Sequence, residues 1–147
     1  LIKKSSIVTL DDLFNKIILS NINKENNFIL SGAHCGSDDY NYTTYKLRKI
    51  IEKHLNYKFS KDELKSSQFE SGILIIKKCN KSMEVIKQWL DIMLNNTVYI
   101  TDKYNNDPTN PKTFVENRHD QSVLSLLLKY NKVPVIYDIN WKNFNSF

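Results

Sequence analysis

The stretch Gln68-Phe69-Glu70-Ser71-Gly72-Ile73-Leu74-Ile75-Ile76-Lys77 decides the class of fold. A glycine is followed by an unbroken run of Ile and Leu, the pattern of a strand buried on both faces. Just upstream, Lys58–Ser67 is polar and predicts a short helix or a loop. Before that, Leu47, Ile50, Ile51, His54 and Leu55 recur at helical spacing behind Thr43 or Thr44, either of which can cap the helix. His54 lies on that apolar face and is expected in the core. Further back, Ser31–Asn41 predicts a loop and Phe28-Ile29-Leu30 a short strand. At the start, Thr9 and Asp12 resemble a capping box for a helix over 7–20, with Leu10, Leu13, Phe14, Ile17 and Ile18 on one face.

Downstream of the run, Ser82 is expected to cap a helix carrying Val85, Ile86, Trp89, Leu90 and Met93 on one side. Val98-Tyr99-Ile100-Thr101 predicts a further strand. Asp102–Thr113, with Pro108 and Pro111, predicts an irregular stretch. A leucine-rich helix is expected from about Gln121, and Val133–Tyr137 as a last, edge-lying strand. Helices alternating with apolar strands indicate an α/β fold, a mixed sheet flanked by helices, in a single domain over residues 1–147.

Composition narrows the function. The chain has 147 residues, 41% of them apolar and 25% charged, an ordinary globular balance. No apolar run approaches the ~18–20 residues of a membrane span, and no secretory-signal pattern opens the chain, so a cytoplasmic location is expected. Only Gly32, Gly36 and Gly72 are present, too few for a dinucleotide or P-loop phosphate cradle. Cys35 and Cys79 cannot build a Cys-rich zinc site or a disulfide scaffold; two free thiols are the expectation, with one bridge between them as the alternative. The net charge of +5 is almost all lysine, with Arg48 and Arg118 the sole arginines. Abundant Lys, Asn, Ile and Tyr fit an AT-rich coding sequence. The scattered basic residues lack the stripe that a nucleic-acid partner selects.

Two segments carry polar chemistry. Glu116-Asn117-Arg118-His119-Asp120-Gln121-Ser122 sets an acid, a guanidinium, an imidazole and amides just before the most apolar helix. In a lysine-rich chain, Arg118 offers the planar fork that suits carboxylate or phosphate. Asp120 can act either as a general base or as a helix N-cap, and Arg118–Glu116 as a surface ion pair. Gln68-Phe69-Glu70-Ser71-Gly72 is the other segment, where a glycine at a strand entry lets a ligand approach the backbone. Tyr40, Tyr42 and Tyr45 supply rings able to stack on bases or sugars.

In order along the chain, these motifs resemble the C-terminal half of a GT-A-type glycosyltransferase, of the kind found in bacterial polysaccharide loci and large DNA viruses. The stretches that carry the resemblance are Tyr42-Thr43-Thr44, Gln68 to Lys77, Ser82 to Leu90, Tyr99 to Asp102 with Tyr104-Asn105, and Phe114 to Leu126. The resemblance implies transfer of a sugar from a nucleotide-sugar donor to a hydroxyl of a glycan or other acceptor. It implies Asp120 as base, flanked by Arg118 and His119, with Gln68, Ser71, Gly72, Glu116 and Gln121 on substrate. A divalent cation, Mn²⁺ or Mg²⁺, is expected of such enzymes. No Asp-x-Asp motif is present, since Asp11-Asp12 and Asp38-Asp39 are adjacent pairs. Ser71-Gly72 also stands where a double glycine is usual. The resemblance therefore implies a chain that begins just after its donor site; for a viral source, the host cytoplasm would be the location. Its rivals are a non-catalytic, glycosyltransferase-like binding module and a basic nucleic-acid-binding domain.

Overall fold

The computed structural model describes residues 28–134. The expected helix over 7–20 and most of the strand expected over 133–137 lie outside them. The elements are β1 (Ile29–Asp38), α1 (Asp39–Tyr42), α2 (Tyr45–Leu55), α3 (Lys61–Lys65), β2 (Ser67–Ile76), α4 (Asn80–Asn95), α5 (Thr97–Ile100), a 3-10 turn at Asp102–Tyr104, and α6 (His119–Tyr130). The class is mixed α/β, and the sheet among the described residues is a two-stranded antiparallel ladder, β1 against β2.

The ladder is irregular at two places. Ile29 faces Ile76 and Ser31 faces Leu74, but Ala33 then faces Phe69. A segment of β2 holding Ser71 and Gly72 therefore bulges out, and the Ser31 hydroxyl bridges the gap by donating to the Glu70 carbonyl at 2.6 Å. A second shift follows, from His34 opposite Gln68 to Asp38 opposite Ser67, with Gly36 at φ 89° inside it. The loop expected over Ser31–Asn41 is thus a strand and a short helix, because pairing with β2 overrides its turn-like composition. Ile76 is 43% exposed and Leu74 and Ile75 half-buried, so β2 is not the doubly buried central strand its composition predicts.

Thr44 caps α2, its hydroxyl accepting from Leu47 N, as expected. Ser60 and Glu63 form a reciprocal capping box on α3. In α4 the cap is Cys79 and Ser82 sits at the third helical position, its hydroxyl accepting from Cys79 N at 3.1 Å. The strand expected at Val98–Thr101 is helical, α5, with Tyr99 N bonded to Asn96 O. His54 is exposed, its Nδ1 3.8 Å from an Asp91 carboxylate oxygen, so its place on the apolar face does not carry it into the core.

The core gathers Phe28, Ile29, Leu47, Ile51, Phe69, Val85 and Ile92 around α6, where Val123, Leu124, Leu126, Leu127 and Leu128 are all fully buried. α6 packs on β2 along one side and α4 along another. That explains its nearly continuous apolar circumference. No helix among the described residues is long and apolar enough to cross a membrane.

Candidate functional site

The polar segment ahead of α6 is held on both sides. On one, Val115 N donates to Asn41 O and Arg118 N to Tyr42 O, while the Ser122 hydroxyl donates to the same Tyr42 carbonyl at 2.8 Å. On the other, Asn117 is 3% exposed and its amide donates to the carbonyls of Ile100 and Thr101 at 3.1 and 3.2 Å. Those carbonyls lie at the C-terminal end of α5, where backbone acceptors lack helical partners. The turn is thereby pinned between α1 and α5.

Within it, His119 adopts φ 51°, the left-handed region that a β-carbon disfavours. Its Nε2 lies 2.8 Å from Asp102 Oδ1, so the carboxylate orients the ring. Met93, Thr97, Ile100, Thr101, Asp102 and His119 line an open, largely apolar cleft of about 520 Å³. An apolar trough with a few polar groups at one side is the usual form of a small-ligand site.

The other expected residues take separate places. Arg118 precedes α6 as its cap; its Nε is 2.9 Å from Glu116, and its guanidinium carbon sits 4.9 Å from the Tyr42 ring centre. Asp120 is half-buried in the first turn of α6, not at its cap, and its backbone carbonyl accepts from the Trp89 indole at 3.2 Å. Gln121 Nε2 donates to Gln68 Oε1 at 2.9 Å, which joins the two polar segments of the sequence at one point. That point is interior: Gln68 is fully buried. Ser71 is half-buried in the β2 bulge beside exposed Gly72, where an added β-carbon would meet nothing within 4 Å. Protein packing thus does not demand glycine there. Cys79 is a free thiol, held below the usual thiol range by its hydrogen bonding with the Ser82 backbone N–H and with the Ser82 hydroxyl.

The strongest electrostatic feature was not legible as a site. Asp39 is fully buried. Its Oδ2 takes Lys129 Nζ and Ser125 Oγ, both at 2.7 Å, and its Oδ1 takes Gln68 Nε2 at 3.0 Å and Thr43 Oγ1 at 3.3 Å. Ser125 also accepts from Phe69 N at 3.0 Å, and Lys129 donates to the carbonyls of Glu63 and Ser66. Burial pushes the Asp39 carboxyl above its usual range even though Lys129 and its hydrogen bonds pull it down. Every oxygen is satisfied, so this cluster is a brace between β1–α1, β2 and α6, with no valence spare for a substrate. The adjacent Asp38-Asp39 pair was its one trace in the sequence.

The expected divalent cation finds no matching donor set: among the described residues no three His, Cys, Asp or Glu side chains converge. Comparison with models of protein families, with curated proteins and with solved structures finds nothing that matches this chain.

Proposed function

We propose that the chain is the acceptor-side and catalytic part of a nucleotide-sugar-dependent glycosyltransferase. One observation carries the placement of chemistry: His119, held in a strained left-handed conformation at the cleft, with its imidazole oriented by Asp102. Non-glycine strain of this kind persists where surrounding structure enforces it, and it concentrates at functional sites. The reaction class rests on the resemblance of these motifs, in their order, to GT-A-type glycosyltransferases.

In this reading the acceptor hydroxyl approaches the Arg118–Asp120 turn. The Asp120 carboxylate takes the hydroxyl proton while the acceptor oxygen bonds to the sugar's anomeric carbon. The bond from that carbon to the donor phosphate breaks, and its electron pair leaves on the nucleoside diphosphate. Arg118 supplies positive charge to the sugar-phosphate side, and His119, fixed by Asp102, positions the acceptor. A second reading, a binding module without catalysis, is favoured by the complete burial of Gln68, which the resemblance puts on substrate.

A screen of nucleotide-sugars for hydrolysis and transfer by the full-length protein, with Mn²⁺ or Mg²⁺ present, separates the two. Turnover that Asp120→Asn abolishes, with an unchanged melting temperature, supports transfer. Binding without turnover supports the module, and full activity in Asp120→Asn refutes the base assignment.

A further inference from the structure

Four of the six residues that line the cleft beside His119 carry polar side chains, yet most of those groups are already engaged within the protein. The Thr101 hydroxyl donates to Val98 O at 2.9 Å and accepts from Lys103 N at 3.4 Å. Asp102 Oδ1 is shared by His119 Nε2 at 2.8 Å and Asn105 Nδ2 at 3.1 Å. The backbone carbonyls of Ile100 and Thr101 accept from the Asn117 amide. What the cleft offers a ligand is therefore mostly carbon. No lysine or arginine is among its described lining residues, in a chain of net charge +5.

Those walls select by chemistry. A free sugar carries hydroxyls on every side, and each one that sheds water without gaining a partner costs affinity. A phosphorylated ligand would meet no cation there. An uncharged apolar group, by contrast, gains with every carbon it covers. An apolar cavity of about 150 Å³ already takes a benzene ring, so one of about 520 Å³ has room for an aryl group or an alkyl chain of several carbons. The apolar surface also continues past the lining: Leu94, next to Met93, and Val98, next to Thr97, are both exposed.

We propose that this cleft receives the apolar group, aryl or alkyl, of an uncharged alcohol, whose hydroxyl end lies at the His119–Asp102 pair. Naming that alcohol as the sugar acceptor rests on the glycosyl-transfer reading, in which Asp120, the residue after His119, takes the hydroxyl proton. The acceptor is then an amphiphile and not a free sugar or glycan.

Calorimetric titration of the full-length protein without any donor tests the binding, with 1-hexanol, 1-heptanol, 1-octanol, benzyl alcohol and glucose as probes. Saturable one-to-one binding that tightens about three- to fourfold per added methylene supports the proposal, with glucose about tenfold weaker or worse. Thr97→Glu puts a charge into the cleft from an exposed position and should weaken octanol by about tenfold. If that variant does not fold, Met93→Gln decides, with a severalfold loss expected. Octanol binding more tightly than benzyl alcohol identifies an alkyl group, and the reverse an aryl group; both uphold the site. Glucose binding as tightly as octanol, octanol affinity unchanged in the variant that decides, or no saturable alcohol binding up to about 1 mM overturns it. Transfer assays with nucleotide-sugars then separate the two readings. Transfer to the alcohols in preference to glucose upholds both. Transfer to glucose alone keeps glycosyl transfer and overturns the amphiphilic acceptor, whereas alcohol binding with no transfer to any acceptor keeps the apolar site and refutes glycosyl transfer.

Discussion

Replacing Lys129 with Met removes the cation from the Asp39 brace while keeping a side chain of similar length. The pair is 2.7 Å apart, Asp39 is fully buried, and the Lys129 side chain is 7% exposed. At an effective dielectric constant near 20, two charges at that separation attract by about 6 kcal/mol, which desolvating both ions largely cancels. Leaving one of them alone is another matter. Lys129→Met strands a buried carboxylate with only neutral donors, a loss of about 3–5 kcal/mol. For a domain of this size that lowers the melting temperature by roughly 10 °C or more. Asp39→Asn should cost less, about 1–3 kcal/mol, because Lys129 keeps the Glu63 and Ser66 carbonyls as acceptors.

The loss should also depend on pH. With Lys129 gone, burial raises Asp39 still further above its unfolded value, so the folded state holds a proton that the unfolded state releases. Stability is then fully present below about pH 4 and falls as pH rises towards the folded value, by up to about 1.4 kcal/mol per unit. Urea unfolding of both variants and the double variant, at pH 4 and pH 7 and at low and high salt, measures all of this. A Lys129→Met loss under about 1 kcal/mol at pH 7, or one that disappears in about 1 M salt, would refute the reasoning, since a sealed pair is poorly screened.

Asp107 titrates in the opposite sense: hydrogen bonds from Lys46 and Thr109 hold its carboxyl at about 2, against an ordinary 3.8. Its contribution is present above about pH 4 and lost as pH falls towards about 2, so Asp107→Asn should flatten that part of a plot of melting temperature against pH. His119→Gly should relieve left-handed strain and hold or raise stability by about 1 kcal/mol while any turnover falls; a clear loss of stability would show that the Asp102 contact outweighs the strain. Asn117→Ala removes the amide from the end of α5 and should cost about 1–3 kcal/mol, read as a lower midpoint in urea.

Local rules carried the helices well. Thr44, Leu47, Ile51 and Leu55 behave as their spacing requires, and the leucines of α6 fill a core that explains their density. The failures came where long-range pairing or packing overruled composition. Gly32, Gly36 and two aspartates read as a loop, yet β2 draws that segment into a ladder with compensating bulges. Val98–Thr101 looks like a strand, but Asn117 closes it as a helical turn by taking its carbonyls. At the site, the sequence singled out His119 but could not supply its partner Asp102, which lies 17 positions away. Ser125 and Lys129 could not be joined to Asp39 for the same reason: their meeting is a property of the tertiary fold.

The Asp39 brace also bears on the order of folding. Ser125 and Asp39 are 86 positions apart in the chain, so the carboxylate can be sealed only after α6 has been made and docked. Until then β1 and β2 would carry an unmatched charge at their shared end, together with Phe69 and Ile29 open to water. Non-local closure of this kind slows folding, and an incomplete chain exposes sticky strand edges while it waits. During synthesis, therefore, the arrival of the leucine-rich helix is the event that commits the earlier half to its native pairing.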